Sequence, residues 1–170
     1  MGIVRSGRRV GQARLRSIAE ELLEASTLCA IATVGPRSSA HVNTAYFAWA
    51  PDLRIVWLSE PRARHSRNLR TNPSAAIAVF DSHQTWGKPD RGIQLFGSAR
   101  LGDDEAEEIY AARFPDHEGF EAYRPYVLVP SRVKLFDERT LGAATFVTAR
   151  VARNGKLSWE RTEVYDSRRY

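Results

Sequence analysis

Ser59-Glu-Pro-Arg-Ala-Arg-His-Ser-Arg-Asn-Leu-Arg-Thr-Asn-Pro73 lies between two strand-like apolar runs, Leu53 to Leu58 and Ala75 to Phe80. It places Arg62, Arg64, Arg67, Arg70 and His65 in a turn and the helix that follows. Pro61 is expected to open that helix and Asn72-Pro73 to close it, because proline fits a helix start and disfavours helix in the residue before it. A helix start directly after a strand points free N–H groups and the positive end of its dipole at whatever lies beyond. Arginines there add bidentate contacts to oxygen anions. The stretch therefore reads as a grip for a phosphorylated ligand.

Strand signals dominate on both sides of it. Leu28 to Val34 is a continuous apolar run ended by Gly35-Pro36, and Ala40 to Trp49 is long and rich in aromatic and β-branched residues. With Leu53 to Leu58 these segments are expected to form an antiparallel meander. Gly92 to Leu101 is a further strand, with Ile93, Leu95 and Ala99 on one face. Between Phe80 and Gly92 the polar stretch Asp81 to Arg91 is a longer loop than most, and such loops are often functional. Tyr126 to Phe136 is strand-like, with Pro130 marking an edge or a bulge. Ala143 to Val151, an Asn154-Gly155 turn and Lys156 to Val164 form a hairpin. Leu15, Ile18, Ala19, Leu22 and Leu23 follow helical spacing over Gln12 to Thr27. Asp103 and Asp104 cap a second helix that runs to Arg113. A short helix is expected near Gly119 to Tyr123. Many short-linked strands with a few helices spell a mainly β protein, a small barrel with peripheral helices.

The chain has 170 residues and 43% hydrophobic content, enough for one domain with a real core. Residues 1–11 are polar and basic and are expected to be disordered, 12–165 form the domain, and 166–170 are a tail. The single cysteine, Cys29, sits in an apolar run and permits no intrachain disulfide, which fits a reducing cytoplasm. No apolar run approaches the ~20 residues of a membrane helix, and the N-terminus lacks a signal-peptide core. Net charge is +5, with only Lys88, Lys134 and Lys156 as lysines among 25 basic residues. The arginines are spread along the chain, so nucleic acid is not the expected partner.

The order of these pieces resembles the flavin-binding split barrel of the pyridoxamine 5'-phosphate oxidase-like family. Four segments carry the resemblance: Ala40-His-Val-Asn-Thr-Ala-Tyr-Phe-Ala-Trp49, Arg54-Ile-Val-Trp-Leu-Ser59, Arg64-His-Ser-Arg-Asn-Leu-Arg-Thr-Asn-Pro73 and Gly92-Ile-Gln-Leu-Phe-Gly-Ser-Ala99. The resemblance implies a six-stranded antiparallel split β-barrel of Greek-key type. It also implies a homodimer with FMN at the interface. The family's phosphate-holding Arg-Lys pair falls on Arg64 and His65, where a phosphate would favour a protonated imidazole. Ser59, beside Leu58, matches a hydroxyl position for the phosphate or ribityl chain. Asn43, Thr44, Ala45 and Tyr46 match the strand beneath the isoalloxazine ring. Gln84, Thr85 and Trp86 fall near the loop that reaches the flavin, from the second subunit in the resemblance, and Gln94 is a further candidate. Three features depart from the family pattern. Ala63 replaces a serine, Ala48 stands where the oxidase uses a substrate-phosphate lysine, and the Arg-Leu-x-Pro ending is missing. The implied function is an FMN-dependent oxidoreductase acting on a small organic substrate. The alternatives are a deazaflavin-dependent reductase of the same fold or a non-enzymatic flavin carrier or sensor.

Other chemistry finds less support. His83 and His117 have no partners at metal-ligand spacing, so no metal is expected. No Gly-x-Ser-x-Gly elbow occurs for a hydrolase. His41 reads equally as a hydrogen-bonded core histidine and as a neighbour of the flavin. Arg67 and Arg70 read as surface ion-pairing groups. Most tryptophans belong in a core or interface, whereas Trp86 lies in the long polar loop.

Overall fold

The computed structural model describes residues 2–81, 83–117 and 121–166. In chain order the elements are β1 (Gly2–Ser6), α1 (Gln12–Glu24), β2 (Leu28–Val34), β3 (Ala40–Trp49), β4 (Ile55–Ser59), α2 (Arg64–Thr71) and β5 (Ser74–Phe80). There follow β6 (Arg91–Leu101), α3 (Asp104–Arg113), β7 (Arg124–Asp137), α4 (Glu138–Leu141), β8 (Thr145–Val151) and β9 (Leu157–Asp166). The strands run in the order β1-β9-β8-β7-β4-β3-β2-β5-β6, and a further β6–β7 pairing closes six of them, β2 to β7, into a barrel. The expected meander is present: β3 pairs antiparallel with β2 and with β4.

The chain divides into two compact units, one of Met1–Ser26, Val79–Leu95 and Ser131–Tyr170, the other of Thr27–Ala78 and Phe96–Pro130. In the first, α1 buries Leu15, Ile18, Ala19, Leu22 and Leu23, the five positions its spacing selects. The strands of this unit bury Ile93, Leu95, Val133, Leu135, Val147 and Ala149. Arg91 is anchored there by Asp137, at 3.0 Å, and by Glu21. Asp137 is fully buried and also accepts from the Arg139 N–H at the start of α4.

In the second unit the core holds Ile31, Phe47, Ile55, Trp57, Ile77 and Leu128. α3 lays Ala106 and Tyr110 onto Ala48, Val56 and Val127, with Leu58, Ile109 and Phe114 at the margin. Asp103 caps α3 as its sequence predicts, accepting from the Ala106 N–H at 3.2 Å. Arg54 ties the β3–β4 turn to this helix through Asp52 at 2.6 Å and Glu105 at 2.8 Å.

Several expectations are corrected. Gly2–Ser6 is not disordered; it pairs with β9 from Gly2↔Asp166 to Ser6↔Thr162, so backbone pairing outweighs its polar composition. β9 accordingly runs on to Asp166, two residues beyond the expected end. α2 opens at Arg64 rather than Pro61, because residues 60–63 form a turn closed by the Ala63 N–H to the Glu60 carbonyl at 3.0 Å. Pro130 falls at a change of partner within β7. It sits where β7 exchanges β4, paired through Leu128, for β8, paired from Arg132. The short helix expected near Gly119 to Tyr123 begins on residues outside the described set.

Candidate functional site

β3 is half-partnered. It pairs with β2 from Ala40 to Tyr46 but with β4 only from Phe47 to Trp49. Over the first seven residues no strand among the described residues pairs with the second backbone edge, and unpaired edge groups of this kind can bond a ligand. A groove of about 500 Å³ lies here, inside the second unit. Asn43, Thr44, Ala45 and Tyr46 line one wall, and Leu58, Ser59 and His65 line another. These seven sequence-selected residues come from β3, β4 and α2.

The phosphate end of the reading falls on a tight polar cluster. Ser59 Oγ and His65 Nε2 are 2.6 Å apart, and the Ser66 hydroxyl donates to Ser59 Oγ at 3.3 Å. Ser59, His65 and Ser66 are all buried. Behind them the Asn68 amide donates to Thr33 Oγ1 at 3.0 Å, which fastens α2 to β2. His41 of β3 stacks on His65, with ring centroids 6.3 Å apart and planes 6° from parallel. Burial, and then the charge of His41, hold the His65 imidazole below its usual 6.5, so the protonated form expected beside a phosphate is not favoured by these protein groups alone.

The start of α2 has no side-chain cap, since Ala63 stands at its N-cap position. Alanine is a poor cap and leaves the first N–H groups without a side-chain acceptor. Ala63 and His65 line the groove, whereas Arg64 between them is exposed and is not part of the wall. Arg67, expected to pair with a surface carboxylate, shows no ion pair among the described residues and donates to the Arg62 carbonyl at 3.0 Å.

The groove also holds residues that the sequence did not select: Glu60, Tyr110, His117 and Tyr123. Tyr110 reaches it because α3 packs on β3 and β4, a long-range contact with no local signal. A second cavity of about 360 Å³ shares Tyr46, Tyr110 and His117 with the groove and adds Arg113, Phe114, Pro115 and Asp116. The Arg113 guanidinium lies 4.8 Å from the centroid of the Phe47 ring. Burial, then the Tyr46 and Cys29 charges, raise the Tyr110 phenol above its usual value.

The remaining candidates lie elsewhere. Gln84 and Thr85 line a separate pocket of about 290 Å³ in the first unit. Gln84 is spent on structure there, accepting from the Arg91 N–H and donating to the Asp81 carbonyl at 3.0 Å. Trp86 is 99% exposed. Gln94 is half-buried on β6 and lines neither the groove nor the pocket.

Sequence comparison decides the family. The model for pyridoxamine 5'-phosphate oxidase matches residues 16–153. The chain belongs to the pyridoxamine 5'-phosphate oxidase family. No curated protein matches it in sequence. Solved structures share the family's barrel at low identity. A heme binding protein from Mycobacterium smegmatis is 18% identical with a TM-score of 0.67, covering 87% of this chain and 61% of its own. This chain thus spans 61% of that protein's length. A Clostridium acetobutylicum protein related to general stress protein 26, of the pyridoxinephosphate oxidase family, is 13% identical with a TM-score of 0.61, covering 84% of this chain and 97% of its own. HutZ, the heme storage protein from Vibrio cholerae, is 18% identical with a TM-score of 0.56, covering 66% and 87%. Among the described residues no helix is long and apolar enough to cross a membrane.

The groove presents polar atoms that a ligand could meet. Asn43 lines the groove, and its Oδ1 is buried with no hydrogen-bond partner among the described residues. Such an orphan acceptor costs about 1–3 kcal/mol unless a ligand donor meets it. Ring N–H and ribityl hydroxyl groups are donors of that kind. Ser59, His65 and the uncapped α2 start add further hydrogen-bonding groups.

Proposed function

We propose that this protein binds FMN in the β3–β4–α2 groove and serves as an FMN-dependent oxidoreductase for a small organic substrate. The observation that carries the reading is the open edge of β3 meeting the Ser59–His65 pair and the uncapped start of α2 in one groove. Asn43 to Tyr46 would lie along the ring and ribityl chain. Ser59, His65 and the first α2 N–H groups would take the phosphate, with Arg64 closing over it from the exposed side. Bound there, the flavin would supply hydride and electron transfer, which no side chain provides. The protein's part is to orient the ring, donate to its polar edge and exclude water. The adjoining cavity with Tyr110, Arg113 and Phe114 gives a small substrate a place beside the groove.

A second copy of the chain belongs to this reading. On the outer face of β5-β2-β3, Ala78, Ala30 and Thr44 lie side by side, as do Ala76, Ala32 and Val42, and Leu28 opposes Tyr46. Val42, Tyr46 and Leu28 are 61%, 57% and 48% exposed. An uncharged apolar face of this kind is the mark of an interface. In the assembled dimer the loop with Gln84, Thr85 and Trp86 would reach the groove of the other copy.

The test is the absorption spectrum and mass of whatever small molecule co-purifies, followed by titration of stripped protein with FMN, a deazaflavin and heme. Stoichiometric FMN binding, with NADH- or NADPH-driven reduction of an acceptor, is the expected result. Preference for the deazaflavin would move the reading to a deazaflavin-dependent reductase. FMN binding without turnover across an acceptor panel would leave a flavin carrier or sensor. A Soret band with heme, and no flavin affinity, would overturn the proposal in favour of the chemistry named for the Mycobacterium and Vibrio proteins.

A further inference from the structure

We infer that the Ser59–His65 pair takes up one proton from solvent when a phosphate docks, so that the groove holds its ligand less tightly as the solution turns alkaline, and that His41 sets the pH of release. This rests on the reading that the groove receives a phosphate. In the family resemblance the position of His65 belongs to lysine, a permanent cation at neutral pH. Here it belongs to an imidazole, which titrates in the physiological range.

The geometry makes that imidazole responsive to an anion. His65 Nε2 is 2.6 Å from Ser59 Oγ, and the Ser59 hydroxyl can turn as the ring gains or loses its proton. The Ser66 hydroxyl supports Ser59 from the far side at 3.3 Å. A docked dianion adds a charge-assisted acceptor beside the pair and favours the imidazolium. The protein groups around the ring favour its neutral form. β3 contributes His41, stacked at 6.3 Å, whose charge opposes protonation of His65. β2 contributes no charged side chain, only Cys29 among its titratable groups. On its own helix the nearest charges are Arg64, Arg67 and Arg70, all exposed cations. Along the groove stand Glu60, the one carboxylate among the described residues, with His117, Tyr46, Tyr110 and Tyr123. Burial, and then His41, lower the His65 imidazole below its usual value. Phosphate binding reverses that balance, and thermodynamic linkage then ties affinity to pH.

The experiment is FMN titration of the stripped protein from about pH 6 to 9, with calorimetry in two buffers of different ionisation heat. Below about pH 6 the FMN phosphate itself begins to protonate, so the alkaline side is the informative one. The expected wild-type result is proton uptake on binding, with affinity falling by up to about tenfold per pH unit. His65→Lys should bind without that slope or uptake. His65→Gln should bind more weakly, also without slope, and covers the case in which a buried lysine does not fold. His41→Phe removes a like charge and should move the loss of affinity to higher pH. Riboflavin, lacking the phosphate, should bind with no uptake in any variant. Tight FMN binding by wild type with a flat profile and no uptake would overturn the inference and leave the FMN reading standing. Absence of FMN binding at every pH would overturn both.

Discussion

Arg64 stands in the first turn of α2, exposed, between two residues that line the groove. Removing its guanidinium should cost a phosphate ligand about 2–3 kcal/mol, or about 30- to 150-fold in affinity. FMN titration of Arg64→Ala reads this directly, and affinity equal to wild type would show that the backbone and His65 hold the phosphate without it. His65 has a consequence for the ligand-free protein too. Its folded-state value lies below 6.5, the ordinary imidazole value, through burial and then the charge of His41. The unfolded chain therefore binds this proton more tightly. The stability contribution is present above about pH 6.5 and is lost as pH falls through the folded-state value. Thermal unfolding of stripped protein should show a midpoint that drops on acidification below that pH, with a smaller drop in His65→Gln. Cys29 is 3% exposed, and burial pushes its thiol up to about 12, against a smaller opposing effect from the Ala45 N–H. Its labelling by a thiol reagent at pH 8 should be slow in the folded protein and complete once the chain is unfolded.

The elements were legible in the sequence where periodicity or a local stop signal sets them. The α1 face, the Asp103 cap of α3 and the Asn154-Gly155 turn, with Gly155 at φ 76°, follow from a few neighbouring residues. The misses have non-local causes. β1 exists because β9 offers it an edge, and Pro130 is tolerated because β7 changes partners around it. Neither fact is written within the segment concerned. Gly97 shows the same dependence on a distant strand. A Cβ there would come 2.1 Å from the Val129 carbonyl oxygen, where β6 meets β7. That neighbour is backbone and cannot swing aside. Gly97→Ala should therefore destabilise the barrel by about 1–3 kcal/mol, the cost of overpacking. Gly7→Ala, with nothing within 4 Å of the new methyl, is the matched control and should unfold at nearly the wild-type denaturant midpoint.

Seen across the molecule, the candidate site divides by how its residues are brought together. The strand–turn–helix residues, from Asn43 to Tyr46 and from Leu58 to His65, were legible because consecutive elements carry them to one groove. Tyr110, His117 and Tyr123 were not, since only the docking of α3 and its following loop brings them there. Gln84, Thr85 and Trp86 are the reverse case: selected by loop length and resemblance, yet placed outside the groove of their own chain. The proposed homodimer would reconcile the two, and it can be tested without touching the barrel interior. Val42 is 61% exposed on the apolar β5-β2-β3 face, opposite Ala32. Val42→Glu would leave a monomer's core intact but bury an unpaired carboxylate in the assembled interface, a strongly unfavourable exchange. Sedimentation velocity should show twice the monomer mass for wild type and a single mass for the variant, with matching far-UV circular dichroism. If Trp86 completes the groove of the second copy, the monomeric variant should also lose most FMN affinity, and Trp86→Ala should weaken binding while remaining dimeric. A variant that is monomeric and binds FMN as wild type does would place the whole flavin site within one chain.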